Sequence, residues 1–251
     1  MALTDQVRQY WDRQTCGTGI TRAEPDTRAY FDEIERYRYE VEPYVRDFAQ
    51  FSRWNGKRVL EIGVGAGTDF VNFGRCGAQL TGVDLTPAAI EHTRNRLTLE
   101  GLEADIRVAN AESLPFSDES FDLVYSFGVI HHAEHPERIV REVRRVLAPG
   151  GEARIMLYGL HSWVADQLIV RALLRALKNR SRPPTRREAV ARNMESPGTQ
   201  AYTRREVEIM FSAAGFDEVQ VEGLLTPYDK RVAGPLATVV RRDWNLAIVA
   251  R

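Results

Sequence analysis

The chain has 251 residues, of which 43% are hydrophobic and 27% are charged, and its formal net charge is −1. This length and composition predict one globular domain with a modest addition. The nearly neutral charge gives no argument for nucleic-acid binding. Because the chain contains no run of about 18 apolar residues, no transmembrane helix is expected.

The compartment is predicted from the N-terminus and from the cysteines. The chain begins without an apolar signal region. Cys16 and Cys76 are far apart and form no metal-ligand pattern. Such cysteine usage suits a reducing compartment, so a cytoplasmic location is expected.

Residues 1–54 precede the first predicted core strand and are predicted to be largely helical. A short helix near the N-terminus carries Tyr10 and Trp11. Residues 30–51 place apolar side chains at helical spacing, with Pro43 as a kink or a restart. One interpretation is that these aromatic and apolar residues pack the segment against the core.

A β-turn-α-β unit is predicted over residues 58–84. Residues 58–62 are a short apolar run, too short for a helix, and therefore form a buried strand. Residues 68–75 are predicted as a helix whose free N–H groups point into the preceding turn. A second apolar strand over residues 79–83 is followed directly by Asp84.

The turn after the first strand reads EIGVGAGTD over residues 61–69. Its glycines, Gly63, Gly65 and Gly67, let the backbone turn sharply and approach a ligand closely. With Asp84 at the end of the second strand, the unit predicts a nucleoside site in which the carboxylate binds the ribose hydroxyls.

Two common nucleotide sites do not fit this turn. The dinucleotide fingerprint has glycine or alanine at its sixth position, where this chain has Thr68. A phosphate-binding loop of the Walker type needs a lysine followed by serine or threonine, which the turn lacks.

The elements after Asp84 continue the alternation of helix and strand. Thr86 and Pro87 begin a helix that ends at Gly101. A strand over residues 106–109 leads into the loop NAESLPF, and a strand over residues 121–126 leads into FGVIHH.

The C-terminal half adds further helices and three strands. A helix over residues 137–147 ends in a glycine-rich turn, and the next strand ends at Tyr158, where open α/β sheets bind their ligands. Thr203 and Glu206 form a capping box for a late helix. The three strands are predicted over residues 152–158, 216–221 and 243–250.

These motifs resemble those of the class I S-adenosylmethionine-dependent methyltransferases, of the ubiquinone and menaquinone biosynthesis type. EIGVGAG resembles motif I of that family, with Glu61 as its acid, and FGVIHH resembles the loop after its fourth strand. LAPGG before an apolar strand resembles its most recognisable downstream landmark. The resemblance covers residues 56–158 and 201–250, and it fades over 1–55 and 159–200.

The resemblance implies an α/β fold. Its core is a Rossmann-like, seven-stranded, mostly parallel sheet with helices on both faces and an antiparallel last strand. Residues 1–54 would be an N-terminal helical lid, and residues 55–251 the methyltransferase domain, with a helical cap inserted over residues 159–200. Tyr202 and Tyr228 are further candidates to line the pocket.

The implied cofactor is S-adenosylmethionine, with S-adenosylhomocysteine as its product. Asp84 would bind the ribose, Leu85 would lie against the adenine, and the Phe127 carbonyl would accept from the ammonium group. Asn110 stands where the family has an acid, so its amide oxygen, or the Glu112 carboxylate, would accept from the adenine amino group. The predicted cofactor-binding residues are Tyr10, Trp11, Glu61, Gly63, Gly65, Gly67, Asp84, Leu85, Asn110, Ala111, Glu112 and Phe127.

The resemblance also places His131, His132 and Tyr158 beside the methyl acceptor, and these are the predicted catalytic residues. Histidine titrates near neutral pH, so it can act as a general base or orient the acceptor. Structural hydrogen bonding is the alternative. His135 adds a third histidine, but no cysteine or convergent acid completes a metal site, so no metal is predicted.

The segment 159–200 contains a predicted helix over residues 163–177, whose apolar side includes Leu173 and Leu177 and which is surrounded by arginines. Three interpretations are open. They are a cap packed on the core, a binding surface for an anionic substrate or partner, and a basic amphipathic helix over residues 163–187 that contacts a membrane surface.

The expected function is methyl transfer from S-adenosylmethionine to a small-molecule acceptor with a C, N or O nucleophile, in biosynthetic or specialised metabolism. Two alternatives stay open: methylation of tRNA or protein through the arginine-rich insertion, and a non-catalytic cofactor-binding module. The expected partner is a small-molecule substrate and not a nucleic acid. Monomer and homodimer both remain open.

Overall fold

The computed structural model describes residues 1–194, 196–240 and 243–251. Within these ranges the strands form one seven-stranded sheet in the order β3-β2-β1-β4-β5-β7-β6. The strands are β1 Arg58–Ile62, β2 Gln79–Asp84, β3 Ala104–Val108, β4 Phe121–Phe127, β5 Leu147–Tyr158, β6 Val219–Leu224 and β7 Asn245–Ala250.

The direction of the strands confirms the predicted fold class. Strands β1 to β5 pair in parallel, and β7 lies antiparallel between β5 and β6. The carboxyl ends of the five parallel strands therefore meet at one edge of the sheet, which is where open α/β sheets bind ligands.

Helices cover both faces of the sheet. They are α1 Leu3–Arg13, α2 Arg28–Val41, α3 Tyr44–Ala49, α4 Thr68–Arg75, α5 Pro87–Glu100, α6 Pro136–Val146, α7 Trp163–Lys178, α8 Arg186–Ala191, α9 Arg204–Ala213, α10 Pro227–Ala233 and α11 Leu236–Val239. Successive strand residues point to opposite faces. Accordingly, Leu60 of β1 packs in a core with residues of α6 and α9, while Val59 packs in a second core with residues of α4 and α5.

Local sequence signals set several element ends. The Thr86 side chain accepts from the Ala89 N–H and caps α5, which begins with Pro87. Thr203 and Glu206 form the predicted capping box at the start of α9. The predicted break at Pro43 separates α2 from α3.

Several element assignments differ from the sequence prediction. β5 begins at Leu147, because Leu147 pairs with Phe121 across the sheet before a register shift. β3 and β6 are displaced by two or three residues from their predicted ranges. Helices α10 and α11 were not predicted, since their short segments carry too few residues to show a helical period.

Part of the predicted apolar side of α7 is exposed. Ala165 and Ala176 are its buried residues. Leu173 and Leu177, both on the predicted apolar side, are 41% and 78% exposed. Within the described ranges no helix is both long enough and apolar enough to cross a membrane.

Candidate cofactor and acceptor site

A cavity of about 1070 Å³ opens at the carboxyl edge of the parallel strands. It is lined by the turn after β1, by the segments that follow β2 to β5, and by residues of α1 and α2. Sites for small ligands and cofactors commonly enclose about 300–1,000 Å³. The cavity is therefore slightly larger than this range and has room for more than one small molecule.

Most of the predicted site residues line this cavity. They are Tyr10, Trp11, Glu61, Gly63, Gly65, Asp84, Leu85, Asn110, Ala111, Glu112, Phe127, His132 and Tyr158. Gly67 and His131 do not line it. Gly67 is the N-cap of α4, and His131 is fully buried beside the Tyr158 ring. Tyr228 lines the cavity, whereas Tyr202 is buried in the core with Phe211.

The glycine turn is held close to the second strand. The Gly63 N–H donates to the Val83 carbonyl at 2.7 Å, and Gly63 has a φ of +82°. A Cβ at Gly63 would lie 2.3 Å from Val129 Cγ2, so this position has no room for a side chain. At Gly65 a Cβ would meet nothing within 4 Å. The backbone at Gly65 therefore has space in front of it for a ligand.

Asp84 joins the glycine turn to the start of α5. Its Oδ2 accepts from the Gly65 N–H at 3.1 Å, and its Oδ1 accepts from both the N–H and the hydroxyl of Thr86 at 2.9 Å. Burial raises the pKa of Asp84, while the bonds from Thr86 and Gly65 oppose that shift. The carboxylate is thus fixed in orientation, and its remaining lone pairs can accept from ligand hydroxyls.

A buried cluster of charged and phenolic groups lies behind the turn. Asp69 accepts from the Tyr39 hydroxyl at 3.0 Å, from the Tyr125 hydroxyl at 2.9 Å and from Arg38 at 3.1 Å. Arg38 also pairs with Glu42. Burial opposes the charge on Arg38, but Asp69 and Glu42 outweigh it and hold the pKa of Arg38 above its ordinary value. We call Arg38, Tyr39, Asp69 and Tyr125 the Asp69 cluster.

No sequence pattern predicts the Asp69 cluster. Asp69 reads as an ordinary acid in the first turn of α4, and Arg38 as one of three arginines on α2. The structure brings both to the cavity wall, where the Arg38 guanidinium lies 4.5 Å from the centre of the Phe127 ring.

Glu61 is a buried acid with an unused acceptor. Its Oε2 has no hydrogen-bond partner among the residues that the structure describes. Burial, with Asp69 and Asp84 nearby, raises the pKa of Glu61 well above its usual range, and Arg38 opposes this. A cationic ligand group next to Glu61 would favour its ionised form.

Some polar groups of the loop after β3 already form hydrogen bonds within the protein. The Glu112 N–H donates to Asn110 Oδ1 at 3.0 Å, and the His135 N–H donates to Glu112 Oε1 at 3.1 Å. An amide oxygen has two lone pairs, so Asn110 keeps one for a ligand. The Glu112 carboxylate is tied to the backbone just before α6 through one oxygen, so both predicted acceptors keep lone pairs for a ligand.

Four aromatic residues line another part of the cavity: Trp11, His132, Tyr158 and Trp244. We call them the aromatic wall. The Tyr158 ring stacks on Trp244 with a centroid distance of 4.5 Å and on the buried His131 at 3.8 Å. His132 meets the edge of Trp11 at 5.2 Å. Trp244 was not predicted, because a lone tryptophan before the last strand shows no local pattern.

Two hydroxyls of the insertion hold His132. Its Nδ1 lies 2.9 Å from Thr199 Oγ1 and 2.8 Å from Ser196 Oγ. Burial lowers the pKa of His132 to about 4, and a hydrogen bond with the Gly128 backbone opposes the shift. The imidazole is therefore neutral at pH 7, and burial also lowers the pKa of His131. Ser196 and Thr199 were missed because they lie in the segment without family resemblance.

The lowered pKa of His132 predicts a pH-dependent stability difference between the protein and its His132→Asn variant. Between pH 6.5 and about 4 the unfolded chain protonates His132 and the folded chain does not. The wild type should therefore lose stability relative to the variant as the pH falls through this window, by about 3 kcal/mol at most. Urea unfolding of both proteins from pH 7.5 to pH 4.5 measures this. Parallel stability curves would contradict the assignment.

Helix α1 is fastened near both ends and carries two residues of the cavity lining between them. The N–H and hydroxyl of Thr4 both donate to Glu134 Oε2 at 3.2 Å. Near its other end, Asp12 accepts from the Ala88 N–H at 3.3 Å. Tyr10 and Trp11 lie between these contacts and face the cavity.

This strand order, with a glycine turn and a strand-end carboxylate at one cavity, defines the fold of the class I S-adenosylmethionine-dependent methyltransferases. A family model described as "Methyltransferase domain" matches residues 60–155, so this part of the chain is a methyltransferase domain. The matched segment contains the last three residues of β1, the turn, Asp84 and FGVIHH.

Curated relatives share this segment. Over 99 residues the chain is 43% identical to a phthiotriol/phenolphthiotriol dimycocerosates methyltransferase of Mycobacterium leprae. The match covers 39% of this chain and 36% of that protein. The chain thus spans well under half the length of such relatives.

Solved structures match over nearly the whole chain. A possible histamine N-methyltransferase from Thermotoga maritima has a TM-score of 0.62 and 19% identity, over 97% of this chain and 98% of that one. The cyclase SpnF has a TM-score of 0.64 and 17% identity, over 99% and 96%. At such identities the likeness shows the fold alone, and the cyclase illustrates that this fold accompanies different reactions.

Proposed function

We propose that this chain transfers a methyl group from S-adenosylmethionine to an apolar small-molecule acceptor through a C, N or O nucleophile. One observation carries the proposal: a single cavity contains both the glycine turn with Asp84 and the aromatic wall. The glycine turn with Asp84 suits a nucleoside, and the aromatic wall suits an acceptor that lies beside the nucleoside. The methyltransferase relative from Mycobacterium leprae, named for a lipid, supports an apolar acceptor.

The residues at the glycine turn fit the cofactor. The open space at Gly65 is a cradle that a Cβ would begin to fill. Asp84 presents a fixed carboxylate for the ribose hydroxyls, and Leu85 and Asn110 line the adenine side. The unused Glu61 oxygen suits the amino group of the methionine part, because a buried carboxylate favours a cationic partner.

When bound, S-adenosylmethionine supplies an electrophilic methyl group on a sulfonium. The protein has to hold the nucleophile in line at about 3–3.5 Å, and positioning of this kind can contribute about 7–11 kcal/mol of the barrier reduction. The Tyr158 ring lies between Trp244 and His131, so it offers its edge to an apolar acceptor. The N-terminal residues 1–54 act as the lid, with Trp11 on α1 excluding water from the reacting groups.

His132 is the polar group of the aromatic wall that is best placed to contact the acceptor. Ser196 and Thr199 fix its ring. A pKa of about 4 makes it a weak base at pH 7, so its proposed role is to position the acceptor and not to remove a proton. His131 lies behind Tyr158 and supports that ring by packing.

The experiment is a transfer assay with S-adenosylmethionine carrying a labelled methyl group. Phenols, aromatic amines and hydroxylated lipids are offered in parallel with total tRNA and total protein. We expect label in an organic-extractable small molecule. Label only in tRNA or protein would contradict the acceptor class and favour a macromolecular substrate. Tight cofactor binding without transfer to any acceptor would favour a non-catalytic module.

A further inference from the structure

Helix α7 presents an apolar face to the outside of the protein. The residues on this face are spaced at i, i+3, i+4 and i+7, so they share one side of the helix. They are Val170, Leu173, Leu174 and Leu177, which are 53%, 41%, 63% and 78% exposed. We call these four residues the outer face of α7. A helix that packed only as a cap would bury such a face.

The outer face lies in the most basic segment of the chain. Residues 167–187 contain no acid and seven cations, although the whole chain has a net charge of −1. The cations are Arg171, Arg175, Lys178, Arg180, Arg182, Arg186 and Arg187. Those toward the C-terminal end are partly neutralised, since Arg182 pairs with Glu188 and Arg186 with Asp166.

Four cations next to the outer face stay uncompensated. Arg171, Arg175, Lys178 and Arg180 are exposed, and they form no ion pair with any residue that the structure describes. Large apolar side chains flanked by uncompensated cations are typical of helices that lie in the plane of an anionic membrane surface. There the apolar side chains enter the acyl boundary, and the cations contact lipid phosphates.

We propose that the outer face of α7 docks the protein on an anionic lipid bilayer. The helix has 16 residues, and at about 1.5 Å per residue it is too short to span a bilayer but long enough to lie along one. A second copy of the chain fits less well. A two-fold contact would bring the same patch of cations against itself, and like charges across an interface are unfavourable.

The docking surface and the cavity share the same helix. Val164 in the first turn of α7 lines the cavity, and so does Tyr228 of α10, which packs on α7. Docking would therefore bring the cavity close to the bilayer, from which an apolar acceptor can enter. This last step rests on the proposed function, while the docking itself does not.

The test is binding of the full chain to vesicles of equal parts phosphatidylcholine and phosphatidylglycerol, with pure phosphatidylcholine vesicles for comparison. We expect the wild type to prefer the anionic vesicles and to dissociate at high salt. The double variant Leu174→Glu, Leu177→Glu should lower the partition coefficient by about 100-fold. Ile209→Glu on α9 is the matched control. Ile209 is 58% exposed but does not lie in such a basic segment, so vesicle binding by this variant should stay unchanged.

The cations are tested separately. The triple variant Arg171→Gln, Lys178→Gln, Arg180→Gln should bind anionic vesicles about 100-fold more weakly, since each cation near such a surface contributes about 1 kcal/mol. Its residual binding should be less sensitive to salt.

Two outcomes would overturn the docking proposal. One is equal vesicle binding, or none, by the wild type and the Leu174→Glu, Leu177→Glu variant. The other is a wild-type dimer that this variant converts to a monomer, without vesicle binding by either protein. S-adenosylhomocysteine is titrated into every variant in parallel. Failure of that ligand to bind the wild type would count against the proposed function and leave the vesicle result standing.

Discussion

Replacing Gly63 with alanine should destabilise the protein by about 3 kcal/mol or more. Two causes add. Gly63 has a φ of +82°, which is unfavourable for alanine, and the new Cβ would lie 2.3 Å from Val129 Cγ2 and 2.7 Å from its Cγ1. Urea unfolding at pH 7.5 measures the change in the free energy of unfolding.

Gly65→Ala is the matched control, two residues further along the same turn. Its φ is +54°, but its Cβ would meet no atom within 4 Å. We expect a loss of about 1–2 kcal/mol in stability from the backbone alone. The methyl group would, however, occupy part of the ligand cradle and weaken S-adenosylhomocysteine binding. Equal losses of stability in the two variants would contradict the packing argument.

Replacing Asp84 with asparagine should raise the dissociation constant for S-adenosylhomocysteine by about 100-fold. An amide has one acceptor oxygen, so it cannot accept from both Gly65 and Thr86 as the carboxylate does. It also loses the charge-assisted bonds to the ribose hydroxyls. Isothermal titration calorimetry measures the change.

Asp122→Asn provides the comparison for this substitution. Asp122 pairs with Arg58 at 2.9 Å near the amino ends of β1 and β4, away from the cavity edge. The Asp122→Asn variant should bind S-adenosylhomocysteine with unchanged affinity. A similar loss in both variants would mean that Asp84 acts through general stability and not through the ligand.

Structural features that depend on a local sequence pattern were predicted correctly. The apolar run 58–62, the glycine spacing and the Thr203–Glu206 capping box depend on neighbours in sequence, and each appears in the structure as expected. The antiparallel last strand was predicted from the family resemblance, and the sheet confirms it. The roles of the individual site residues remain predictions.

Contacts between distant segments were not predictable in this way. Asp69 bonds Tyr39 and Tyr125, which lie 30 and 56 residues away, so no spacing pattern links them. Thr199 likewise meets His132 across 67 residues.

The sequence left the orientation of α7 open for a different reason. Apolar residues occur on much of its circumference, so the sequence indicates a helix without showing which side is covered. Leu173 and Leu177 lie on the predicted apolar side and are exposed. Packing against α8 and α10 decides this orientation.

The account depends on an activated methyl donor occupying the cavity at Gly65 and Asp84. Isothermal titration calorimetry of the purified wild-type chain with S-adenosylhomocysteine, beside a parallel titration with a nicotinamide dinucleotide, tests it most directly. We predict saturable binding of S-adenosylhomocysteine and no measurable heat from the dinucleotide. Binding of the dinucleotide, with no uptake of S-adenosylhomocysteine, would contradict it.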